Sequence, residues 1–223
     1  LSSDGKYLLD TYSSISIPKN IDLINTEKGS AKRLLTAANP LEGFAIGTPE
    51  LLTLKADDGT TLYAKMHKPQ NFDPQKKYPV LIYVYGGPHA QEVKNSWGVG
   101  SYLWLSAFAQ NDQYIVFTLD NRGSENRGFA FESVIHRHLG DYEIKDQLVG
   151  VAYLKSLPYV DANRIAVHGW SFGGFMASSL LTRHPEVFRA AVAGGAVTDW
   201  KYYEVMYGER YMDTPQTNPE GYE

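Results

Sequence analysis

The chain has 223 residues, a net charge of −4 and no cysteine. That length can bury one good core, or one domain with part of another. The lack of cysteine excludes disulfides, thiol catalysis and cysteine metal sites without choosing a compartment. The mild acidity leaves no electrostatic footprint for nucleic acid, and no apolar run reaches 18 residues, so no membrane span is expected.

Leu1 is not an initiator methionine, so the true N-terminus and any targeting segment are expected upstream. The first 40 residues read as antiparallel β. Ser3-Asp4-Gly5 signals a turn before KYLLDTYSS, and IDLINTEKGSAKRLL reads as a hairpin broken at Thr26-Glu27-Lys28-Gly29. Two or three strands close no core alone. Residues 1–45 are therefore read as the end of a larger β domain, with a linker over 39–50. A second hairpin follows in ELLTLKA, Asp57-Asp58-Gly59 and TTLYAKMHKP, where Leu62, Ala64 and Met66 alternate with more polar neighbours.

From Tyr78 the pattern changes. YPVLIYVYGG, QYIVFTLDN, RIAVHGW and FRAAVAGGAV are nearly continuous apolar runs, as expected of strands buried on both faces of a parallel sheet. SYLWLSAFAQN reads as a helix before the second run. DYEIKDQLVGVAYLKSL reads as a helix before the third, with Ile144, Leu148, Val151 and Ala152 on one face and Asp141 as its N-cap. Strands alternating with helices define an α/β fold with right-handed crossovers.

The chemistry centres on RIAVHGWSFGGFMASSLLTRHP, residues 164–185. Ser171 lies between Gly169 and Gly173 in the Gly-x-Ser-x-Gly pattern of a nucleophile elbow, a sharp strand-to-helix turn that presents a serine above a parallel sheet. With 20 Gly and 15 Ser, the pattern arises by chance in about one such chain in eight, so its context must decide. Arg164–His168 is β-prone. Phe172 to Arg183 reads as a helix, with Phe172, Met176, Leu180 and Arg183 at three- and four-residue spacing and His184-Pro185 ending it. The small Gly173, Gly174, Ala177 and Ser178 let that helix lie close to the strands. Residues 46–223 are thus read as the N-terminal part of a truncated α/β-hydrolase fold.

In this fold the partners follow the nucleophile in the order serine, acid, histidine. Only His184 follows Ser171. At 1.5 Å per helical residue it lies roughly 18 Å away, beyond hydrogen-bond reach. His67, His89, His136, His138 and His168 precede the serine, and His168 is expected to pack on its strand. The strands carrying acid and base are expected beyond the chain, which reads as a piece cut at both ends and inactive alone.

One oxyanion donor would be the N–H of Phe172, and the other must come from the loop after an earlier strand. YVYGGPHAQ, residues 83–91, has that form. Position alone makes Tyr85 a core aromatic of its strand. In DWKYYEVMYGERY, Tyr203 and Tyr207 are four apart, so on a helix they share one face and either pack in the core or hold a flat ring.

Five segments, YVYGGP, DNRGSENRG, HRHLGDYEIKDQ, HGWSFGG and DWKYYEVMYGERYMDTP, extend the pattern well beyond the elbow. In order and spacing the sequence resembles the dipeptidyl peptidase IV subfamily of prolyl oligopeptidase-like serine peptidases. Bacterial dipeptidyl and prolyl tripeptidyl peptidases are the most similar. The resemblance runs from about residue 50 to the end, and the strands before it resemble the last blade of a β-propeller. It implies Ser171 as nucleophile, Tyr85 as the hydroxyl completing the oxyanion hole beside Phe172, and Val197, Trp200, Tyr203 and Tyr207 as walls of a proline-binding S1 pocket. Trp170 would flank the leaving-group side. Phe172 stands where many relatives have tyrosine, a small departure because only its backbone N–H is needed.

The implied function is release of N-terminal di- or tripeptides after proline or alanine, through an acyl-enzyme. The substrate is a peptide with a free N-terminus, with no metal, cofactor or nucleic acid involved. The resemblance leaves room for a homodimer of the intact protein and points to the periplasm or cell envelope. Asp120, Arg122, Glu125 and Arg127 are expected to order their loop through ion pairs. The competing readings are an acylaminoacyl-peptidase or carboxylesterase on the same fold, and a catalytically inactive binding homologue.

Overall fold

The computed structural model describes residues 1–97 and 103–223. Strands β1 (Tyr7–Ser14), β2 (Ile17–Asn25) and β3 (Ser30–Thr36) form an antiparallel sheet in that order. Asn20 is its one buried strand residue, in keeping with a sheet that builds no core by itself. Its polar face is crossed by Arg33, which donates to Asp22, to Asn20 Oδ1 at 3.0 Å and to the Tyr12 hydroxyl at 2.6 Å. The Ile15 N–H donates to Asn95 Oδ1 (3.0 Å) and the Trp97 N–H to Ser13 Oγ (3.1 Å), tying this sheet to the loop after the sixth strand.

The second sheet holds β4 (Glu50–Lys55), β5 (Thr61–His67), β6 (Tyr78–Tyr83), β7 (Ile115–Asp120), β8 (Val160–Trp170) and β9 (Ala190–Gly194), in the order β4-β5-β7-β6-β8-β9. The β4–β5 and β5–β7 pairs are antiparallel, and β7, β6, β8 and β9 run parallel. The helices are α1 (Leu103–Asn111), α2 (Phe129–Glu132), α3 (Asp141–Ser156), α4 (Phe172–Arg183) and α5 (Val205–Met212). Ser101 and Tyr102, which the sequence assigns to the first helix, lie outside the described residues.

β6 and β7 are buried along their whole length because the sheet separates two cores. The pleat sends alternate residues to opposite faces. Val80, Ile82 and Phe117 join Phe172, Met176 and Leu180 of α4. Leu81, Tyr83 and Val116 meet Leu105 and Ala109 of α1 on the other side. This is why the strands read as unbroken apolar runs. Each large side chain so buried contributes about 1.5–3 kcal/mol.

Several expectations are corrected. β9 is the last strand of the sheet among the described residues, and Val192 on it is 63% exposed there. β8 begins at Val160 rather than Arg164. On β5 the polar alternates Lys65 and His67 are as buried as Leu62 and Met66, since α1 covers that face too. Helix α3 is capped by Gly140, whose positive φ of 99° turns the chain into the helix, and Asp141 is its first residue. Its inner face holds Glu143, Ile144, Asp146, Gln147, Val151 and Leu154, whereas Ala152 is exposed. Of the four residues that periodicity put on that face, Ile144 and Val151 are buried and Leu148 packs against the core, and only Ala152 turns outward; the three polar residues that share the face were not anticipated.

Candidate active site

The β8–α4 junction is strained at one residue. Ser171 has φ 60° and ψ −119°, a sparsely populated conformation costing about 1–3 kcal/mol unless its surroundings enforce it. They do. The Ser171 N–H donates to the Gly194 carbonyl of β9 (2.8 Å), and the Phe175 N–H returns to the Ser171 carbonyl (3.1 Å). A Cβ added to Gly169 or Gly173 would collide with the Val84 carbonyl oxygen, so the start of α4 touches the end of β6 backbone to backbone. The half-buried serine therefore stands above the carboxyl ends of the parallel strands, the usual ligand edge of such sheets.

Seven of the eight residues singled out from the sequence converge there. Tyr85, Ser171, Phe172, Val197, Trp200, Tyr203 and Tyr207 line one small pocket of about 30 Å³. Trp170 does not join them. Its ring lies 65% exposed over Gly194 and Gly195. The Tyr85 and Phe172 rings are 6.3 Å apart, and Phe172 lies 5.6 Å from Trp200. Trp200 stacks on Tyr207 at 5.9 Å with planes 7° apart, and Tyr203 meets Tyr207 edge-on at 5.3 Å.

That last pair does not arise as four-residue spacing suggested. α5 begins only at Val205, and Tyr203 ends the preceding 3₁₀ turn (Trp200–Tyr202). The two rings meet across a bend in the chain, and Tyr203 stays 38% exposed. Burial holds the Tyr207 phenol well above its ordinary range, with Tyr85, Tyr211, Tyr203 and Glu143 adding to the effect. Tyr207 is therefore a neutral hydroxyl and an apolar wall.

The loop that carries Tyr85 has supports that the sequence reading missed. Asn121, fully buried at the end of β7, donates from Nδ2 to the Gly86 carbonyl (3.0 Å) and accepts at Oδ1 from Gln147 of α3 (3.0 Å). Arg122 pairs with buried Asp146 at 2.6 Å and with Asp58 at 2.7 Å, so an ion pair does order this loop. Asp120 instead accepts the Glu92 and Val93 N–H groups (2.8 and 3.0 Å), its carboxyl raised by burial. Arg127 donates to the Thr61 carbonyl and lies over the Tyr63 and Phe131 rings, 4.5 Å from each. Glu125 binds through its backbone N–H to the Ala90 carbonyl (3.3 Å). Among the described residues the expected ion pairing is thus seen for one of the four, Arg122.

No hydrogen bond joins Ser171 to a histidine among the described residues. His184 lies beside Glu186 at 3.3 Å, beyond the far end of α4. His168 donates from Nδ1 to the Val192 carbonyl (2.8 Å) and packs on Tyr83 and Trp104, as its strand position suggested. His67 meets Ser106, His89 meets Glu132 and His136 meets Asp213. Among the described residues no cluster of three or more His, Asp or Glu is placed to hold a metal ion, and no helix is long and apolar enough to cross a membrane.

A serine raised on a strained strand-to-helix turn, between glycines, over the carboxyl edge of a mixed sheet with helices between its parallel strands, defines an α/β-hydrolase fold. Comparison with known proteins narrows the class. The model of the prolyl oligopeptidase family matches residues 101–223, and the chain belongs to that family. Dipeptidyl peptidase 8 of Mus musculus is 37% identical over 209 residues, which are 93% of this chain and 23% of that protein. A solved structure from Bacteroides ovatus, described as a candidate dipeptidyl aminopeptidase IV, matches the whole chain with 55% identity and a TM-score of 0.95. The dipeptidyl peptidase 4 structure from Porphyromonas gingivalis matches it with 32% identity and a TM-score of 0.89. The chain spans 32% of each of these two structures.

Proposed function

We propose that this chain carries the nucleophile, oxyanion hole and S1 pocket of a serine exopeptidase that releases an N-terminal dipeptide after proline or alanine. The observation carrying this reading is the convergence of Ser171, Phe172, Tyr85 and four apolar or aromatic residues on one pocket. The dipeptide product, rather than a tripeptide, is favoured by the names of the relatives.

In this mechanism Ser171 Oγ adds to the carbonyl carbon of the residue seated in the pocket. The hydroxyl proton passes to a histidine supplied from elsewhere, because no described histidine is bonded to Ser171. Negative charge then collects on the carbonyl oxygen, where the Phe172 N–H and Tyr85 hydroxyl are assigned to donate. The C–N bond breaks, the amine leaves with the proton, and the acyl group stays on Ser171 until water removes it. Val197, Trp200, Tyr203 and Tyr207 offer flat apolar contact to a pyrrolidine ring and no charge. Tyr203 is the most exposed of these walls.

The test compares a Gly-Pro-linked chromogenic amide, its Gly-Ala counterpart and a simple ester, using the intact protein. This reading expects amide turnover abolished by Ser171→Ala and a preference for proline. Ester hydrolysis without amide turnover would support the esterase reading instead, and no turnover of any of them an inactive homologue.

A further inference from the structure

Glu143, on the first turn of α3, is fully buried. Its Oε2 accepts the Gly140 N–H at 3.0 Å, while Oε1 is buried with no hydrogen-bond partner among the described residues. Burying an acid in this way is costly, and a helix that needs only a cap can take one from an exposed serine or aspartate. The position explains the choice. A Cβ on Gly140 would lie 2.9 Å from Phe175 Cζ, so the turn that Glu143 holds is the surface on which Phe175 rests. The Phe175 ring lies 5.3 Å from both Phe172 and Trp200, two walls of the pocket.

We infer that Glu143 is a positioning residue for the S1 pocket: by closing the Gly140 turn it fixes Phe175, and through Phe175 the angle at which Trp200 and Phe172 face a bound ring. This rests on reading the pocket as a proline site. Burial pushes the carboxyl up to about 8, which favours its neutral form. The charged groups acting on it are Asp141 and Asp146 of its own helix, the latter paired with Arg122. Tyr207 is the titratable group of α5 that its charge reaches, and Phe175 of α4 is apolar.

The experiment measures kcat and KM of the intact protein on a Gly-Pro-linked substrate, together with the near-ultraviolet circular dichroism of the aromatic cluster. Glu143→Ala is expected to raise KM about tenfold with kcat within about threefold, because the ring is bound in a misaligned pocket. Glu143→Gln, whose amide oxygen still accepts the Gly140 N–H, should restore KM to within about twofold of wild type. Gly140→Ala pushes on Phe175 directly and should reproduce the KM increase. The aromatic spectrum should follow the same order. An unchanged KM and spectrum in Glu143→Ala, or a Gln variant as impaired as Ala, would overturn the inference. If Glu143→Ala does not fold, an unchanged KM and spectrum in Gly140→Ala overturns it equally. A wild type with no proline turnover, or a Ser171→Ala variant that keeps it, refutes the proposed function; the spectral comparison then still decides the positioning role.

Discussion

The elbow and the aromatic wall line the same pocket, and they are held by different means. At the elbow, backbone meets backbone. Gly169 and Gly173 leave no space for a methyl group, and Ser171 is held in a strained conformation by a bond to β9. The wall is a chain of ring contacts from Phe172 through Trp200 and Tyr207 to Tyr211, on short helical pieces with Tyr202 and Met206 exposed. Backbone contact leaves no room for an added atom, whereas each ring pair adds about 0.5–1.5 kcal/mol beyond its burial. The nucleophile rests on the first kind of support and the pocket wall on the second.

The difference is broken most severely at Gly173. A methyl group there strikes the Val84 carbonyl, which belongs to the strand leading to Tyr85. Gly173→Ala is expected to cost more than about 4 kcal/mol or to give no folded protein, by chemical denaturation of the intact chain. A variant within about 1 kcal/mol of wild type would show that the elbow is looser than described.

The next effect lies beneath the wall and depends on pH. The Glu143 carboxyl, ordinarily near 4.5, is raised to about 8 in the fold. Its contribution to stability is therefore full below pH 4.5 and is lost as pH rises to 8, by at most about 1.4 kcal/mol per pH unit. Glu143→Gln cannot titrate, so its Tm relative to wild type should rise between pH 5 and 8 and level off above. A Tm difference independent of pH would remove the neutral buried acid from the account.

The smallest effect tests the wall as a specificity element. Tyr207→Ala removes one stacked ring, worth about 1–3 kcal/mol, so kcat/KM for the Gly-Pro substrate should fall about 10–200-fold. The Gly-Ala substrate, which places no ring there, should lose less. Equal losses would make Tyr207 a support of the fold alone.

The two regions also differed in how far the sequence revealed them. β8, the elbow and α4 follow from local rules: an apolar run, a Gly-x-Ser-x-Gly turn and helical spacing that ends at His184-Pro185. The boundary of α4 is recovered to the residue. The wall depends on tertiary contact, so spacing alone put Tyr203 on a helix that starts two residues later. Its membership of the pocket was legible only through family resemblance. Glu143, Asp146 and Gln147 were invisible because buried polar residues look like a solvent face until their partners Gly140, Arg122 and Asn121 are known. Asn121 carries no signal of its own in the sequence, because its role is to hold a backbone carbonyl.

The central claim is that Tyr85 and Ser171 act together, and the most direct measurement is Tyr85→Phe in the intact protein. Kinetics on one Gly-Pro-linked substrate give kcat and KM, and a melting curve controls for folding. Loss of one oxyanion donor typically lowers kcat about 10²–10³-fold, or ~2.7–4 kcal/mol, and that fall is expected here. Phenylalanine keeps the ring packed on Phe172, so KM and Tm should stay close to wild type. A kcat within about twofold of wild type, at unchanged Tm, would contradict the account and leave Tyr85 as a packing aromatic of its loop.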